Sequence, residues 1–269
     1  MKLLQITEDE IPELGEHFEE VEHVDVESIA PEVVDGESDV KFKGKSVASY
    51  DAVFANIPTK NALFGRVALE IMEEEGIKTN YPSTGFFIMS KKNYLYHVLH
   101  EKDISATRTA VIASEKAARN IERELKGPLI ARKFDDEVET ERAKLETVDE
   151  IQDFADGIGR GNQFVLFQEF STGDKYRCLV AGDQCISLAD NSDGWDFSKE
   201  NLQYHSISQE MREKVLETSR AIGTPIAEVL IRDGKVEDVN PNPDLELYTN
   251  ISGKDAYDCA AQALKEVEI

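Results

Sequence analysis

The stretch that most constrains the fold is Ile226 to Leu245, with the sequence IAEVLIRDGKVEDVNPNPDL. Two short apolar runs flank the turn sequence Arg-Asp-Gly-Lys, and this pattern predicts a β-hairpin. Because side chains alternate across a strand, Asp238 and Asn240 share one face of the returning strand, and Glu228 on the outgoing strand can lie across from them. The Pro241-Asn242-Pro243 segment cannot extend the sheet, because each proline fixes its backbone φ angle. It therefore ends the strand directly after Asn240 and restricts the backbone that follows this residue.

The oxygen-bearing side chains of this hairpin are candidate metal ligands. Two carboxylates and a carboxamide suit Mg²⁺ or Mn²⁺, which take oxygen donors, keep several waters and bind substrate phosphates with only one or two carboxylates. An ordinary acidic hairpin would have the same pattern, because 54 of the 269 residues are Asp or Glu. Both interpretations stay open from the hairpin alone.

Charge and composition exclude several classes of protein. A net charge of −24 argues against binding to nucleic acids or anionic membranes. Two explanations of this charge are adaptation to a salt-rich cytosol and electrostatic attraction of a cationic partner. The acids are spread over the whole chain, which favours the first explanation, a halophilic protein. The chain has no apolar run of about 18 residues and carries acids from Glu8 onwards, so we expect a cytoplasmic protein without a membrane span. We expect its three cysteines to be buried free thiols.

Strands alternate with helices up to about residue 88, which predicts a parallel sheet with covered faces. A helix over Asn61 to Glu75 should bury a stripe of Leu63, Val67, Leu69 and Ile71. The strands are expected at Met1 to Ile6, His23 to Ile29, Asp51 to Ala55 and Ile77 to Asn80, with a loosely helical acidic segment from Glu8 to Glu22.

A helix that begins at Ser90 places Lys91 and Lys92 in its first turn. A cation there opposes the helix dipole, so two interpretations stay open: a lysine directed at an anionic ligand, or a solvated surface lysine. The elements expected after it are strands at Thr109 to Ala113, Pro128 to Phe134 and Phe164 to Phe170, helices at Glu115 to Lys126 and Thr147 to Gly157, a glycine-rich turn at Gly157 to Gly161, a hairpin over Lys175 to Leu188, and helices at Gln209 to Ile222 and Asp255 to Val267.

Several segments occur together in a characteristic order: SYDAVFANIP, FGRVALEIMEEEGIKTNYPST, SKKNYLYHVL, PLIARKF, VLFQEF, GDKYRCLVAGDQCISLAD and the hairpin above. From about Tyr50 to the C-terminus the chain thereby resembles the ATP-grasp superfamily, and within it the RimK-like carboxylate-amine ligases. The resemblance implies an α/β (α+β) fold with an N-terminal parallel-sheet subdomain (residues 1–88), a central lid subdomain (89–168) and a C-terminal subdomain with the metal site (169–269). The last two would sandwich the nucleotide.

The resemblance also implies roles for individual residues. Glu228, Asp238 and Asn240 would hold the Mg²⁺ or Mn²⁺ ions that bridge the phosphates of ATP. Arg177 would be catalytic, steadying the acyl-phosphate or the acceptor carboxylate. The implied nucleotide contacts are Lys92 and either Arg132 or Lys133 at the phosphates, Gln168, Glu169 and Phe170 at the adenine hinge, Asp174 near the ribose beside Lys175, which replaces the usual aspartate, and Lys199 and Asn201 near the phosphates.

The implied activity is that of an ATP- and Mg²⁺-dependent ligase. Such an enzyme phosphorylates a carboxylate and lets the amine of an amino acid, glutamate among the candidates, attack the acyl-phosphate. The carboxylate would belong to a peptide or a small molecule, and homo-oligomer formation stays open. The acidic sequence DDEVETERAK replaces the family's glycine-rich loop. Either this loop swings away and Arg142 and Lys144 neutralise the phosphates, or phosphate binding is weakened and activity with it. Two alternatives are therefore a nucleotide-binding or regulatory protein without turnover, and a salt-adapted interaction module without nucleotide.

Overall fold

The computed structural model describes residues 1–135, 138–159 and 163–268. Its N-terminal part contains a parallel sheet and a small antiparallel sheet. In chain order the elements are β1 (Lys2–Ile6), α1 (Pro12–Gly15), β2 (Glu20–Val24), β3 (Ile29–Val34), β4 (Glu37–Phe42), β5 (Lys45–Ser46), β6 (Ala52–Ala55), α2 (Ala62–Glu74), β7 (Lys78–Thr79) and α3 (Ser83–Ser90).

The predicted parallel sheet is present, with the order β2-β1-β6-β7. Two details of the prediction are wrong. The segment from Glu8 to Glu22 has only one helical turn, α1, and the second strand ends at Val24 instead of Ile29. The antiparallel sheet β3-β4-β5 was not predicted; Val40 and Phe42 anchor it in the core.

Helix α2 forms where the sequence predicts it, and Leu69 and Ile71 of the predicted stripe are buried, whereas its other two residues are not. Leu63 is 67% exposed and Val67 is 48% exposed. Gly65 and Ala68 are buried instead, and an ideal Cβ atom on Gly65 would lie 2.5 Å from the ring of Phe86. The small residues of α2 therefore let α3 approach closely, and this contact outweighs burial of the branched side chains.

The central part is an antiparallel sheet with helices on one face. Its elements are α4 (Lys92–Glu101), β8 (Thr109–Ile112), α5 (Glu115–Glu124), β9 (Leu129–Asp135), β10 (Val138–Leu145), α6 (Val148–Ala155) and β11 (Phe164–Glu169). The strand order is β10-β9-β11-β8. The acidic segment predicted as a lid loop is largely strand β10, which pairs with β9. Asp136, Glu137 and residues 160–162, including part of the predicted glycine-rich turn, lie outside the described residues.

The C-terminal part is a five-stranded antiparallel sheet with the order β14-β13-β12-β15-β16. Its elements are β12 (Lys175–Ala181), β13 (Gln184–Asp190), β14 (Leu202–Tyr204), α7 (Gln209–Ile222), β15 (Ile226–Arg232), β16 (Lys235–Asn240), α8 (Leu245–Ser252) and α9 (Ala256–Glu266). Strands β15 and β16 form the predicted hairpin, in which Glu228 faces Asn240 and Leu230 faces Asp238. The sequence did not predict β14 or α8.

The central and C-terminal sheets are joined through the exposed edge of β16. Val236 exchanges backbone hydrogen bonds with the segment before β8, accepting from Thr107 and donating to Ser105. The hydroxyl of Tyr96 donates to the carbonyl of Glu237 over 2.7 Å and accepts from the amide of Gln168 over 2.8 Å. These contacts fix the two sheets around a common cleft.

The cysteine prediction is partly confirmed: all three thiols are free, and Cys178 and Cys259 are buried, whereas Cys185 is half-buried. Among the described residues, no helix combines the length and the apolar character needed to cross a bilayer.

Candidate functional site

A cavity of about 360 Å³ lies between the central and C-terminal sheets. The strands and helices of both parts direct polar side chains into it. Eight of the predicted site residues line this cavity: Lys92, Arg132, Gln168, Arg177, Lys199, Glu228, Asp238 and Asn240. Residues that are up to 148 positions apart in the sequence are thus brought to one place.

Asp238 is the centre of the charges in this cavity. Its carboxylate accepts hydrogen bonds from the Lys92 ammonium over 2.6 Å and from the Arg132 guanidinium over 3.2 Å. Burial would raise the pKa of Asp238, but the charges of Lys92 and Arg132 outweigh it, so the pKa lies below the ordinary value. Asp238 is therefore ionised, and Lys92 is an interior cation and not a solvated surface lysine.

Glu228 is the second carboxylate of the cavity and is 3% exposed. One oxygen accepts from Arg177 over 2.9 Å and from the Tyr248 hydroxyl over 3.0 Å. The other accepts from the Asn240 amide over 3.4 Å. Burial, with the neighbouring Glu228 charge, raises the pKa of Tyr248 well above its usual range, so its hydroxyl stays a donor.

The donor set suits a hard divalent cation. Within the described ranges, no three His, Cys, Asp or Glu side chains form a cluster that could hold a metal ion. The predicted set has only two carboxylates, Glu228 and Asp238, with the carboxamide of Asn240 beside them. Such a set matches Mg²⁺, which uses one or two protein carboxylates together with waters and substrate phosphates. The metal assignment remains a prediction.

Strand β10 adds two charged side chains beside the cleft: Arg142, which lines the cavity, and Glu139, which contacts the arginines from behind. Glu139 accepts from Arg132 over 2.8 Å and from Arg142 over 2.6 Å. Arg142 also donates to both carboxylate oxygens of Asp196, over 2.7 and 2.8 Å. Asp196 belongs to the loop after β13, so these ion pairs cross from the central part to the C-terminal part.

Five predicted residues lie outside this cavity. Lys133 is on the opposite face of β9, over the ring of Phe154 and paired with Glu141; of the two bases left open, only Arg132 lines the cavity. Glu169 accepts from Arg108 and from the backbone of Lys126. The others are Phe170 and Asp174, which line a neighbouring cavity of about 660 Å³, and Asn201, which is exposed.

Lys175, at the position of the family's aspartate, has a structural role. Its ammonium donates to the Ser192 hydroxyl over 2.6 Å and to the carbonyls of Gly194 and Asp196 over 3.0 Å each. The side chain is 7% exposed. Lys175 therefore fixes the loop that carries Asp196. The neighbouring Asp174 is exposed and takes no part in these hydrogen bonds.

Some residues of the site were not predicted from the sequence. Tyr96 and Tyr248 had no local signal, because each lies on an amphipathic helix where an aromatic residue is usual. Glu139 lies in an acidic run, where no sequence pattern distinguishes it from the neighbouring acids. Arg142 was expected to neutralise phosphates but was not assigned a place; the alternation of charges along VETERAK could have indicated a strand with one face on the cleft.

The fold is similar to that of ATP-grasp proteins. No family model matches the chain. The crystal structure of a RimK-domain ATP-grasp protein from Sphaerobacter thermophilus covers 98% of this chain and 99% of that chain, with a TM-score of 0.74 and 16% identity. The ATP-grasp ligase PsnB complexed with a minimal precursor covers 98% of both chains, with a TM-score of 0.75 and 18% identity.

A sequence relative points to the same group. The ribosomal protein bS6–L-glutamate ligase of Shigella flexneri is 24% identical over 245 residues, which are 86% of this chain and 81% of that protein. The resemblance to the ATP-grasp superfamily and its RimK-like ligases, inferred from the segments above, is confirmed by these findings.

Proposed function

We propose that this chain is an ATP- and Mg²⁺-dependent carboxylate-amine ligase that activates a carboxylate as an acyl-phosphate and joins it to the amine of an amino acid. One observation carries the proposal: a single cavity collects the cations Lys92, Arg132, Arg177 and Lys199 together with the oxygen ligands of the β15–β16 hairpin. A cavity with both cations and oxygen ligands suits a phosphate chain with its divalent metal ions.

The chemistry of each side chain in the cavity determines the role that we propose for it. Lys92 and Arg132 would bind and orient the phosphate chain, and Arg177, held by Glu228 over 2.9 Å, would steady the carboxylate being activated. Glu228, Asp238 and Asn240 would hold Mg²⁺, which supplies neutralisation of phosphate charge when bound. Arg132 and Glu228 are buried, and the lower dielectric around them strengthens their electrostatic interactions.

The names of the relatives support the substrate class. The Shigella protein is named as a ligase of L-glutamate and ribosomal protein bS6, and PsnB is described with a precursor peptide. The first name joins a ligase to a ribosomal protein, and the second joins an ATP-grasp ligase to a precursor. We therefore infer a peptide or small-molecule carboxylate as one substrate of this chain and an amino acid, with glutamate the first candidate, as the other.

The test is ADP release from ATP and Mg²⁺ against a panel of amino acids and acidic peptides. We expect release only when both an amino acid and a carboxylate substrate are present, together with a product that is heavier by one amino-acid residue. Asp238→Asn should abolish this release, whereas Asp233→Asn, in the exposed turn of the same hairpin, should keep it. Equal release from both variants would contradict the metal assignment.

A second candidate function is a nucleotide-binding or regulatory protein without turnover. The observation that favours it is strand β10, which brings Glu139 and Glu141 where the family has a glycine-rich loop. In this case Mg²⁺ and ATP would bind, but no combination of amino acid and carboxylate would release ADP.

A further inference from the structure

Two arginines lie directly opposite each other on neighbouring strands beside the cavity. In the register of β9 and β10, Arg132 pairs with Arg142, and both side chains line the cavity. Like charges directly opposite each other in an antiparallel pair are destabilising. Placing the two arginines opposite each other therefore lowers the stability of the sheet. This cost indicates that their charges serve a ligand in the cavity.

An irregularity in β10 allows Glu139 to serve both arginines. Residues 139 and 142 would lie on opposite faces of a regular strand, but the register shifts between Glu139 and Glu141. A bulge of this kind redirects side chains, and it brings Glu139 and Arg142 to the same face. One carboxylate can then reach two guanidinium groups.

Hydrogen bonds to Glu139 and Asp238 use the Nε atom and one terminal nitrogen of Arg132, and among the described residues its other terminal nitrogen has no hydrogen-bond partner. Glu139 accepts from the Nε atom of Arg132 over 2.8 Å, and from the Nε atom of Arg142 over 2.6 Å and its terminal nitrogen over 2.9 Å. Asp196 accepts from the remaining terminal nitrogen of Arg142, so all three nitrogens of this guanidinium group have protein partners. Glu139 itself is not among the residues that line the cavity, so it acts from behind the guanidinium groups.

We propose that Arg132 and Arg142 form a two-arginine clamp for a polyphosphate chain, in which a phosphate oxygen replaces Asp196 at Arg142, and that Glu139 is the residue that positions both arginines. The clamp takes over the task of the missing glycine-rich loop, with guanidinium groups in place of backbone N–H groups. Lys144, which lies over the ring of Phe170 and lines the neighbouring cavity, is not part of it. The inference rests on the proposed function only in naming ATP as the source of the polyphosphate.

The test measures the dissociation constants of tripolyphosphate and of Mg²⁺ with ATP, at one fixed salt concentration. Arg142→Gln should weaken the binding of both by roughly tenfold to a hundredfold, because a charge-assisted hydrogen bond is lost. Arg142→Lys keeps the charge but loses the planar fork and should recover only part of the affinity. Arg119→Gln, an exposed arginine on α5, has the same change in net charge and should bind as the wild type does.

Glu139 is tested against Glu141 on the same strand. Glu139→Gln should weaken tripolyphosphate binding by roughly threefold to tenfold, because a neutral amide orients two guanidinium groups less firmly. Glu141→Gln should have no effect, since Glu141 pairs with Lys133 on the other face. Tighter binding by Glu139→Gln would overturn the positioning role, and unchanged binding by Arg142→Gln would overturn the clamp.

The clamp and the proposed ligase activity can fail separately. Tripolyphosphate binding that depends on Arg142, without ADP release for any substrate, would support the clamp and contradict the ligase. Substrate-dependent ADP release that Arg142→Gln leaves unchanged would support the ligase and contradict the clamp. Tripolyphosphate that does not bind the folded wild type at millimolar concentration would also overturn the clamp.

Discussion

The ammonium of Lys92 lies 2.6 Å from the carboxylate of Asp238 and joins the first turn of α4 to the returning strand of the hairpin. The same carboxylate accepts from Arg132 on β9. One acid on β16 therefore connects three elements that are distant in the sequence. Because Arg132 is buried and the side chains of Lys92 and Asp238 are only 13% and 15% exposed, the loss of one charge leaves the others only partly compensated.

Removing the charge of Asp238 should destabilise the fold in a pH-dependent way. Asp238→Asn leaves Lys92 without its carboxylate partner and Arg132 with Glu139 alone, so the free energy of unfolding at pH 7 should fall by about 3–5 kcal/mol. The folded pKa of Asp238 lies below its unfolded value of about 3.9. Its contribution is thus complete above that value and is lost as the pH falls through the folded pKa.

Urea unfolding curves of the wild type and of Asp238→Asn between pH 7 and pH 3 check this expectation. The difference between the two proteins should shrink as the pH falls below about 4. Asp233→Asn, in the exposed turn, should stay within about 0.5 kcal/mol of the wild type. A difference that stays constant down to pH 3 would show that the ionised carboxylate does not stabilise the fold.

Lys175 should control the order of the loop that carries Asp196. Lys175→Met keeps the aliphatic stem but loses the hydrogen bonds to Ser192, Gly194 and Asp196. The loop should then open locally, and chymotrypsin should cleave at Trp195 or Phe197 faster by roughly tenfold or more. Lys235→Met, at an exposed site, is the matched control. Equal cleavage rates for both variants would contradict the assigned role.

The close contact between α2 and α3 should make Gly65 sensitive to the smallest enlargement. Gly65→Ala gains helix propensity of about 1 kcal/mol, but its Cβ atom would lie 2.5 Å from the ring of Phe86 and 3.0 Å from Ile57. We expect a net loss of about 1–3 kcal/mol in the free energy of unfolding. Leu63→Ala on the same helix, where Leu63 is 67% exposed, should change it little. A stabilised Gly65→Ala variant would contradict the packing argument.

The net charge of −24 should make stability depend on salt. Raising KCl from 0.1 M to 2 M screens repulsion among the surface acids, since the Debye length falls from about 10 Å to below 3 Å. Urea unfolding in KCl should therefore show a rising free energy of unfolding, whereas an uncharged osmolyte at equal osmolality should have a smaller effect. A flat or falling dependence on KCl would contradict a halophilic protein.

The sequence predicted those parts of the fold whose signal is local. The hairpin around Asp233 and Gly234 and the helix Gln209–Ile222 formed as expected, because turn residues, caps and periodicity lie within each segment. Helix α2 shows the limit of this approach. Its buried face was decided by contact with Phe86, and no pattern within α2 encodes where α3 will lie.

The candidate site was predictable to a similar degree. The family resemblance selected eight residues that line one cavity, among them Lys92 and Asp238. It could not separate Arg132 from Lys133, because only the register of β9 decides which of two adjacent bases faces the cleft. It also missed the place of Arg142, since that place depends on an irregularity in β10 and on a loop more than 50 residues away.

Calorimetric titration of the folded wild-type chain tests most directly whether the cleft between the two sheets binds ATP with Mg²⁺. We expect one nucleotide site per chain, with binding that requires Mg²⁺ and is weakened at least roughly tenfold by Arg132→Gln, since this variant loses a charged hydrogen-bond donor. The absence of both a heat of binding and a shift in melting temperature at millimolar ATP and Mg²⁺ would contradict ATP binding in this cleft.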